Sequence, residues 1–308
     1  KFVVMEVSSH SIAQNRIAGI PFDATMFTNL TQDHLDYHEN MRSYGEIKSK
    51  LFTEIESKIK IINCIDDFGK KLSKEIQEDV IEITNISVPR EFKGLFLNIE
   101  KSIANGLGYS VSIQSSWGHK EFNLPLIGAF NVENASQVIA LLLSYNFNFN
   151  KIVSAIKILT PPKGRMQLVS LTSSKRLPKV YIDFAHTPEA LKLALMALRS
   201  HYDTNIWCVF GCGGDRDQGK RKLMGHIAEK YSDYVVITSD NPRGEDPKNI
   251  INDILEGVEE DVEIFEDRAK AIQYAIQTAS DRDIILIAGK GHEGYQLINN
   301  SRITFVDN

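Results

Sequence analysis

The segment Val180-Tyr181-Ile182-Asp183-Phe184-Ala185-His186-Thr187-Pro188-Glu189 passes from a β-branched and aromatic run, through a short polar loop, to a hydroxyl followed by proline. Its apolar half reads as a strand over 180–184. Thr187 then has the oxygen to cap a helix, and Pro188 suits the first helical position, where a missing N–H is no loss. The helical pattern runs on to about residue 199. Outward from this unit the alternation repeats, with apolar strands expected at 206–210, 234–238 and 284–288 and helices at 221–231, 248–255 and 267–279. This is the pattern of a doubly wound α/β domain on a parallel sheet. Ligands of such sheets gather beyond the carboxyl ends of the strands. Here those ends carry Asp183-Phe184-Ala185-His186, Gly211-Cys212-Gly213-Gly214-Asp215-Arg216-Asp217, Asp240-Asn241-Pro242-Arg243 and Gly289-Lys290-Gly291-His292-Glu293.

Towards the other end the pattern is looser, with strands expected at 2–7, 25–28, 59–64 and 80–83 and helices from 132 to 159. Thr160-Pro161-Pro162-Lys163-Gly164 breaks both periodicities, so two domains are expected, 1–160 and 161–308. A chain of 308 residues has room for two α/β domains. Its 43% apolar and 24% charged residues can bury a core and exclude a disordered or collagen-like chain. Lys and Arg number 35 against 40 Asp and Glu, a net charge of −5, so no global basic field exists to hold nucleic acid or an anionic membrane. Any anionic ligand must meet local cations. The longest apolar stretch, around 138–143, is far short of the ~20 residues that cross a bilayer. Cys64, Cys208 and Cys212 are odd in number and form no CxxC pair, which suits a reduced, intracellular protein. The opening apolar run from Phe2 shows no leader pattern and reads as the continuation of something longer, and the end at Asn308 reads as trimmed.

Several residue groups have chemical potential beside a plain structural reading. Glu6 precedes Ser8, Ser9 and His10, and Asp33-His34-Leu35-Asp36-Tyr37-His38 ends the next strand–loop unit. Adjacent strand ends would bring a carboxylate and an imidazole together, or the two are a capping acid and a surface histidine. His34 and His38 have the i,i+4 spacing of a zinc pair but lack a recognisable third ligand. Residues 43–55 form an amphipathic helical pattern, with Tyr44, Ile47, Leu51 and Ile55 on the apolar face and Lys48 beside it; a lysine so placed ordinarily snorkels to water. The run from Gly211 lacks the GxGxxG spacing of a dinucleotide loop, while Arg216, Lys220 and Arg221 near a helix start suit a carboxylate or phosphate. Alone, Asp240-Asn241-Pro242-Arg243 is an Asx-Pro turn, and Lys290-Gly291-His292-Glu293 is equally open.

Taken in order, these segments are together more specific than any one of them. Met5 to His10, Phe27-Thr28-Asn29-Leu30 with Asp33 to His38, Asn131 to Asn134, Gly164-Arg165-Met166, Asp183 to Pro188 and the later rim loops together resemble the Mur ligases. The likeness is to those members that add the third amino acid to a UDP-N-acetylmuramoyl peptide. It implies two doubly wound α/β domains, a central ATPase domain and a C-terminal, Rossmann-like domain that binds the amino acid. No GxxxxGK[ST] phosphate loop occurs, so the chain is expected to take up the family plan after that loop, and ligation by this piece alone is expected to be absent.

The activity implied by the resemblance is ATP-dependent amide ligation in peptidoglycan precursor synthesis. ATP phosphorylates the terminal carboxylate of UDP-MurNAc-L-Ala-D-Glu, and the incoming amine attacks the acyl phosphate. By the same likeness Glu6, His34 and Lys48 are catalytic and hold Mg2+, Lys48 as a carbamate that replaces a cation by an anionic oxygen ligand. Ser8, Gln14 and Arg16 would hold the UDP-sugar peptide, and Asn131, Asn134, Arg165, Asp183 and His186 would face ATP. Asp240, Asn241, Pro242 and Arg243 match the variant associated with meso-diaminopimelate, whose second carboxylate suits the arginine fork; lysine-adding relatives lack that arginine. Arg216, Gly289 and Glu293 would complete the amino-acid subsite. A monomeric, cytoplasmic protein with no nucleic-acid or membrane partner is expected. A lysine-adding Mur ligase, a folylpolyglutamate synthase-like ligase and a non-catalytic binding module remain as alternatives.

Overall fold

In the computed structural model, residues 2–33, 35–76, 80–86, 94–169, 176–299 and 301–307 are described. They divide into two compact units, Lys1–Pro125 with Ala129–Leu159, and Leu126–Gly128 with Thr160–Asn308.

The first unit contains, in chain order, α1 (Ser9–Ala13), β1 (Ala24–Phe27), α2 (Leu35–His38), α3 (Met41–Thr53), β2 (Ile59–Asn63), α4 (Asp67–Ile76), β3 (Val80–Thr84), β4 (Leu95–Asn105), β5 (Gly108–Ser115), β6 (Gly118–Leu124), α5 (Ala129–Ser144) and α6 (Phe149–Ile156). Its sheet runs in sequence order from β1 to β6, parallel as far as β4 and antiparallel through β5 and β6. Successive side chains of β2 face opposite ways. Ile62 joins Phe27, Leu51, Phe52 and Leu72 in a core formed with α3 and α4, while Asn63 reaches Glu133 on α5. Side-chain oxygens start the helices: Asn40 accepts from the Ser43 N–H at the head of α3, and Asn148 accepts from Lys151 N–H at the head of α6.

Residues 2–7 depart from expectation. No strand forms there; the run is irregular, with Val3 and Val4 each 92% exposed. An apolar run becomes a strand only where a neighbour completes its ladder, and among the described residues β1 pairs with β2 alone. The meander β4–β6 was also not anticipated. Its first turn is Gly106-Leu107, between the paired residues Asn105 and Gly108, with Gly106 at φ +59° in the first central position, and a glycine there is a hairpin signal that the search for βαβ units passes over.

The second unit contains β7 (Gln167–Val169), β8 (Lys179–Asp183), α7 (Pro188–His201), β9 (Ile206–Phe210), α8 (Gly219–Tyr231), β10 (Tyr234–Thr238), α9 (Pro247–Leu255), β11 (Glu263–Phe265), α10 (Arg268–Thr278), β12 (Ile284–Ala288), β13 (Tyr295–Ile298) and β14 (Ser301–Thr304). The sheet order is β11-β10-β9-β12-β8-β7, all parallel except β7, and β13 pairs with β14 as a separate antiparallel hairpin. From β8 through β11 the chain steps one way along the sheet and then returns to β12. Right-handed crossovers therefore place α7, α8 and α9 on one face and α10 on the other. Ala271 and Ala275 of α10 pack on Val180, Val209, Val236, Ile285 and Ile287. With both faces covered, every residue of β9 and β12 is buried, which explains their unbroken apolar text. Thr187 Oγ1 accepts from the Ala190 N–H, and Pro188 opens α7, as its sequence required.

Candidate functional site

In the second unit, the loops after β9 and β10 are knotted by their backbones. Gly214 N–H donates to the Asn241 carbonyl at 2.9 Å, and Arg243 Nη1 donates to the Gly214 carbonyl at 2.7 Å. A Cβ on Gly214 would stand 2.0 Å from the Pro242 carbonyl oxygen, so only glycine permits this approach. A Cβ on Gly213 would meet Arg243 Nη1 at 2.7 Å and Arg216 Cγ at 3.8 Å, so the two arginines flank one bare backbone position. Arg216 is exposed and Arg243 half-buried. Arg221 is not part of this rim: it is 1% exposed and forks onto Glu245, with Asp253 and the Gly213 carbonyl completing its partners.

The loop after β12 joins the same rim. Asn241 Nδ2 donates to Glu293 Oε2 at 2.8 Å, and Lys290, fully buried, lies 3.5 Å from that carboxylate and donates to the Tyr295 carbonyl. Asp240 is buried beside Gly289, and its Oδ2 has no hydrogen-bond partner among the described residues. Burial pushes its pKa up, against the pull of Arg268 and Lys290. Arg216, Asp240, Asn241, Pro242, Arg243, Gly289 and Glu293 thus lie on three adjoining loops. The result is a rim with cations on one side and a carboxylate acceptor on the other, complementary to a zwitterionic head group.

At the end of β8, Asp183 accepts from the Met166 N–H at 2.7 Å and from the Ala185 N–H at 2.9 Å. Burial raises its pKa, and the two N–H groups and the Arg165 charge work the other way. Arg165 is exposed, with its guanidinium 4.8 Å from the centroid of the Phe184 ring. His186 Nδ1 donates to the Phe184 carbonyl at 2.8 Å. The Gly164 backbone lies so close to Gly291 that a Cβ would be 2.2 Å from His292 N, which ties this group to the loop after β12.

The first unit surrounds Lys48 with acids. Its Nζ donates to the Asn29 carbonyl at 3.5 Å and lies 5.2 Å from the Tyr44 ring centroid. Burial lowers its pKa, while Glu6, Asp33 and Asp66 favour the charged form. Lys48 therefore does not snorkel freely. Asp66 caps α4 through the Phe68 and Gly69 N–H groups, and Glu133, raised by burial, accepts from Asn63. The sequence reading passed over Asp66, Asn63 and Glu133; their only signal was a position at a strand end or on the helix carrying Asn131 and Asn134. Glu6 is exposed and, contrary to expectation, is not at a strand end. His34 lies outside the described residues. His38 is buried, with Nε2 2.8 Å from Ser9 Oγ and its ring stacked on Tyr44. Among the described residues no three His, Cys, Asp or Glu side chains are spaced to hold a metal ion.

Ser8 accepts from the Ser11 N–H as the cap of α1, Gln14 donates to the Tyr37 hydroxyl at 3.4 Å, and Arg16 is exposed. Asn131 is half-buried and Asn134 exposed in the first turns of α5. Cys64, Cys208 and Cys212 are all buried and unpaired. No described helix is long and apolar enough to cross a membrane.

Two domain profiles match the chain, one described as Mur ligase middle domain over residues 1–142 and one as Mur ligase, glutamate ligase domain over residues 164–291. The chain is similar to the UDP-N-acetylmuramoyl-L-alanyl-D-glutamate–2,6-diaminopimelate ligase of Haemophilus influenzae (strain ATCC 51907 / DSM 11121 / KW20 / Rd), with 42% identity over 99% of this chain and 62% of that protein. The like-named protein of Wigglesworthia glossinidia brevipalpis is 41% identical over 99% of this chain and 61% of its own length. The chain thus spans about three fifths of the length of these relatives, 62% and 61%. A solved structure of a ligase of the same name superposes with TM-score 0.59 at 34% identity, covering 98% of this chain and 61% of the other. The folylpolyglutamate synthase of Mycobacterium tuberculosis, solved with ADP and AMPPCP, gives TM-score 0.67 at 18% identity over 88% of this chain and 62% of its own, a likeness of fold alone.

Proposed function

The chain belongs to the Mur ligase family, and from that premise we propose that it serves the ATP-dependent addition of meso-diaminopimelate to UDP-MurNAc-L-Ala-D-Glu. In this reading ATP transfers its terminal phosphoryl group to a carboxylate of the nucleotide-linked dipeptide. The amine of the diaminopimelate then displaces phosphate from the acyl phosphate, leaving an amide, ADP and phosphate. Peptidoglycan precursor synthesis in the cytoplasm is the setting this activity implies.

One observation carries the choice of amino acid: Arg216 and Arg243 flank Gly213, and Asn241 and Glu293 are joined by a hydrogen bond on the adjoining loops. The arginines would take the distal carboxylate of diaminopimelate and Glu293 its distal ammonium. L-Lysine has no carboxylate there and would give the charges of Arg216 and Arg243 no anionic partner. On the nucleotide side, Arg165 would meet phosphate charge, Asp183 ribose hydroxyls, and His186 with Asn131 and Asn134 the rest of ATP. Ser8, Gln14 and Arg16 would hold the UDP-sugar peptide.

Glu6, Asp33 and Asp66 each favour the charged form of Lys48, and carboxylate oxygens are the ligands that a hard divalent cation takes. Mg2+ when bound would neutralise phosphate charge. Glu6, His34 and Lys48, the last as a carbamate, would hold it. Burial already favours the uncharged amine of Lys48, the form able to react with carbon dioxide.

The test is selectivity in the full protein. meso-Diaminopimelate is expected to be used at least about tenfold more efficiently than L-lysine, the preference a single bidentate contact of about 1.4 kcal/mol provides. Arg243→Ala should raise the diaminopimelate KM far more than the ATP KM, and Arg243→Lys should not rescue it. Equal use of the two amino acids would overturn the reading.

A further inference from the structure

None of the roles above uses the hairpin β13–β14 or the segment that follows it, yet both are bound closely to the rim. Gln296 Nε2 donates to the Asp240 carbonyl at 2.8 Å, and the Leu297 N–H donates to Asn241 Oδ1 at 2.9 Å. Arg243 N–H donates to the Leu297 carbonyl and Asn299 N–H to the Arg243 carbonyl, each at 2.8 Å, so that Arg243 bridges to Ile298 as a single parallel strand residue. Arg243 takes a left-handed backbone, φ +54°, to do so. A side chain rarely adopts that conformation unless its surroundings require it.

Beyond β14, the Phe305 N–H returns to the Gly294 carbonyl, and Asp307 meets Arg268. Their contact is a fork, with Nε to Oδ1 at 2.6 Å and Nη2 to Oδ2 at 2.7 Å, and neither side chain is exposed at all. Arg268 also donates to the Ala288 carbonyl at 3.0 Å and the Ser239 carbonyl at 3.4 Å. Those carbonyls belong to the residues immediately before Gly289 and Asp240.

This pair is a poor choice for stability alone. Two charges leave water completely, and Arg268 stands at the head of α10, where the helix dipole disfavours a cation. What the pair provides is direction, because a planar fork fixes both partners. β10 and β12 are not neighbours, since β9 lies between them. Arg268 is a single side chain that grips the ends of both.

We propose that β13 and the segment Ser301–Asp307 act as a strap that sets the spacing of the amino-acid subsite, with Gln296, Arg268 and Asp307 as positioning residues for Asp240 to Arg243 and for Gly289 to Glu293. The proposal deepens the reading of that rim as the diaminopimelate subsite and rests on it. The strap holds the backbone of the specificity loop through the Asp240 and Arg243 main chain and the Asn241 side chain, so that the Arg243 side chain starts from a fixed position.

The experiment compares Gln296→Met, Asp307→Asn and Arg243→Ala in the full protein, with steady-state kinetics for meso-diaminopimelate, L-lysine and ATP and a thermal melt for each. Gln296→Met, which removes a single hydrogen bond, should raise the diaminopimelate KM about fivefold, with the ATP KM within about twofold and kcat little changed. Asp307→Asn should act in the same direction and more strongly, and both should narrow the preference over L-lysine. If Asp307→Asn does not fold, Gln296→Met decides alone. A diaminopimelate KM unmoved by Gln296→Met while Arg243→Ala raises it overturns the strap and leaves the subsite standing. KM values for both substrates rising together show a merely structural role and overturn it equally. No effect of Arg243→Ala overturns the subsite itself, and the strap with it.

Discussion

Lys48 and Asp183 show how burial sets the chemistry of single side chains. Lys48→Ala in the full protein is expected to lower ligation by on the order of a hundredfold or more, the usual scale for losing a group that organises charge at a reacting centre. Short carboxylic acids should restore part of that activity; wild-type turnover in the variant would remove Lys48 from the metal site. Asp183 has a pKa raised chiefly by burial. A carboxyl that keeps its proton longer in the folded chain contributes most to stability below the ordinary carboxylate range, and that contribution is lost as pH rises through the folded value. The contribution of Asp183, read as the difference in unfolding free energy between the wild type and Asp183→Asn, should therefore decline as pH rises above the ordinary carboxylate value of about 4. At this scale the sequence named Arg243, Arg216, Asn241 and Glu293 correctly as neighbours, because strand ends of one parallel sheet share a rim. It did not find Asp66 or Glu133, because an aspartate before a helix ordinarily reads as a cap, which Asp66 also is.

The helices of the second unit and its strands β8, β9, β10 and β12 were legible to within a residue or two. β9, β10 and β12 match the expected 206–210, 234–238 and 284–288, since strands buried on both faces leave continuous apolar text between polar loops. Short edge strands such as β7 and β11 carry too few residues to show any period, and in β4 the burial follows no regular alternation, with a run of exposed residues in its second half. Two changes test how these elements are held. Thr187→Ala should lower stability by about 1 kcal/mol through loss of the α7 cap, seen as a lower denaturant midpoint with unchanged m-value. Gly164→Ala should do more damage, because its φ of +66° and the backbone of Gly291 and His292 leave no space for a methyl group. Weaker nucleotide binding together with a raised diaminopimelate KM is the expected signature, since the clash falls on the loop that carries Gly289 and Glu293.

Across the molecule, protection should follow strand position. Amide hydrogen exchange is expected to be slowest in β9 and β12, central and fully buried, and fastest in the three-residue edge strands β7 and β11. Uniform protection across that sheet would contradict the order found here. The same order has a temporal consequence. β12, made late, is the strand that fills the gap between β8 and β9. While a ribosome is still translating residues before 284, β8 can pair only with β7 and β9 only with β10, and the edge that each turns towards β12 stands open. The hairpins of β4–β6, whose partners are close in sequence, can close long before that moment. The nascent second unit therefore passes through a stage at which its centre is a vacancy, the stage most exposed to chaperones and to mispairing with other chains.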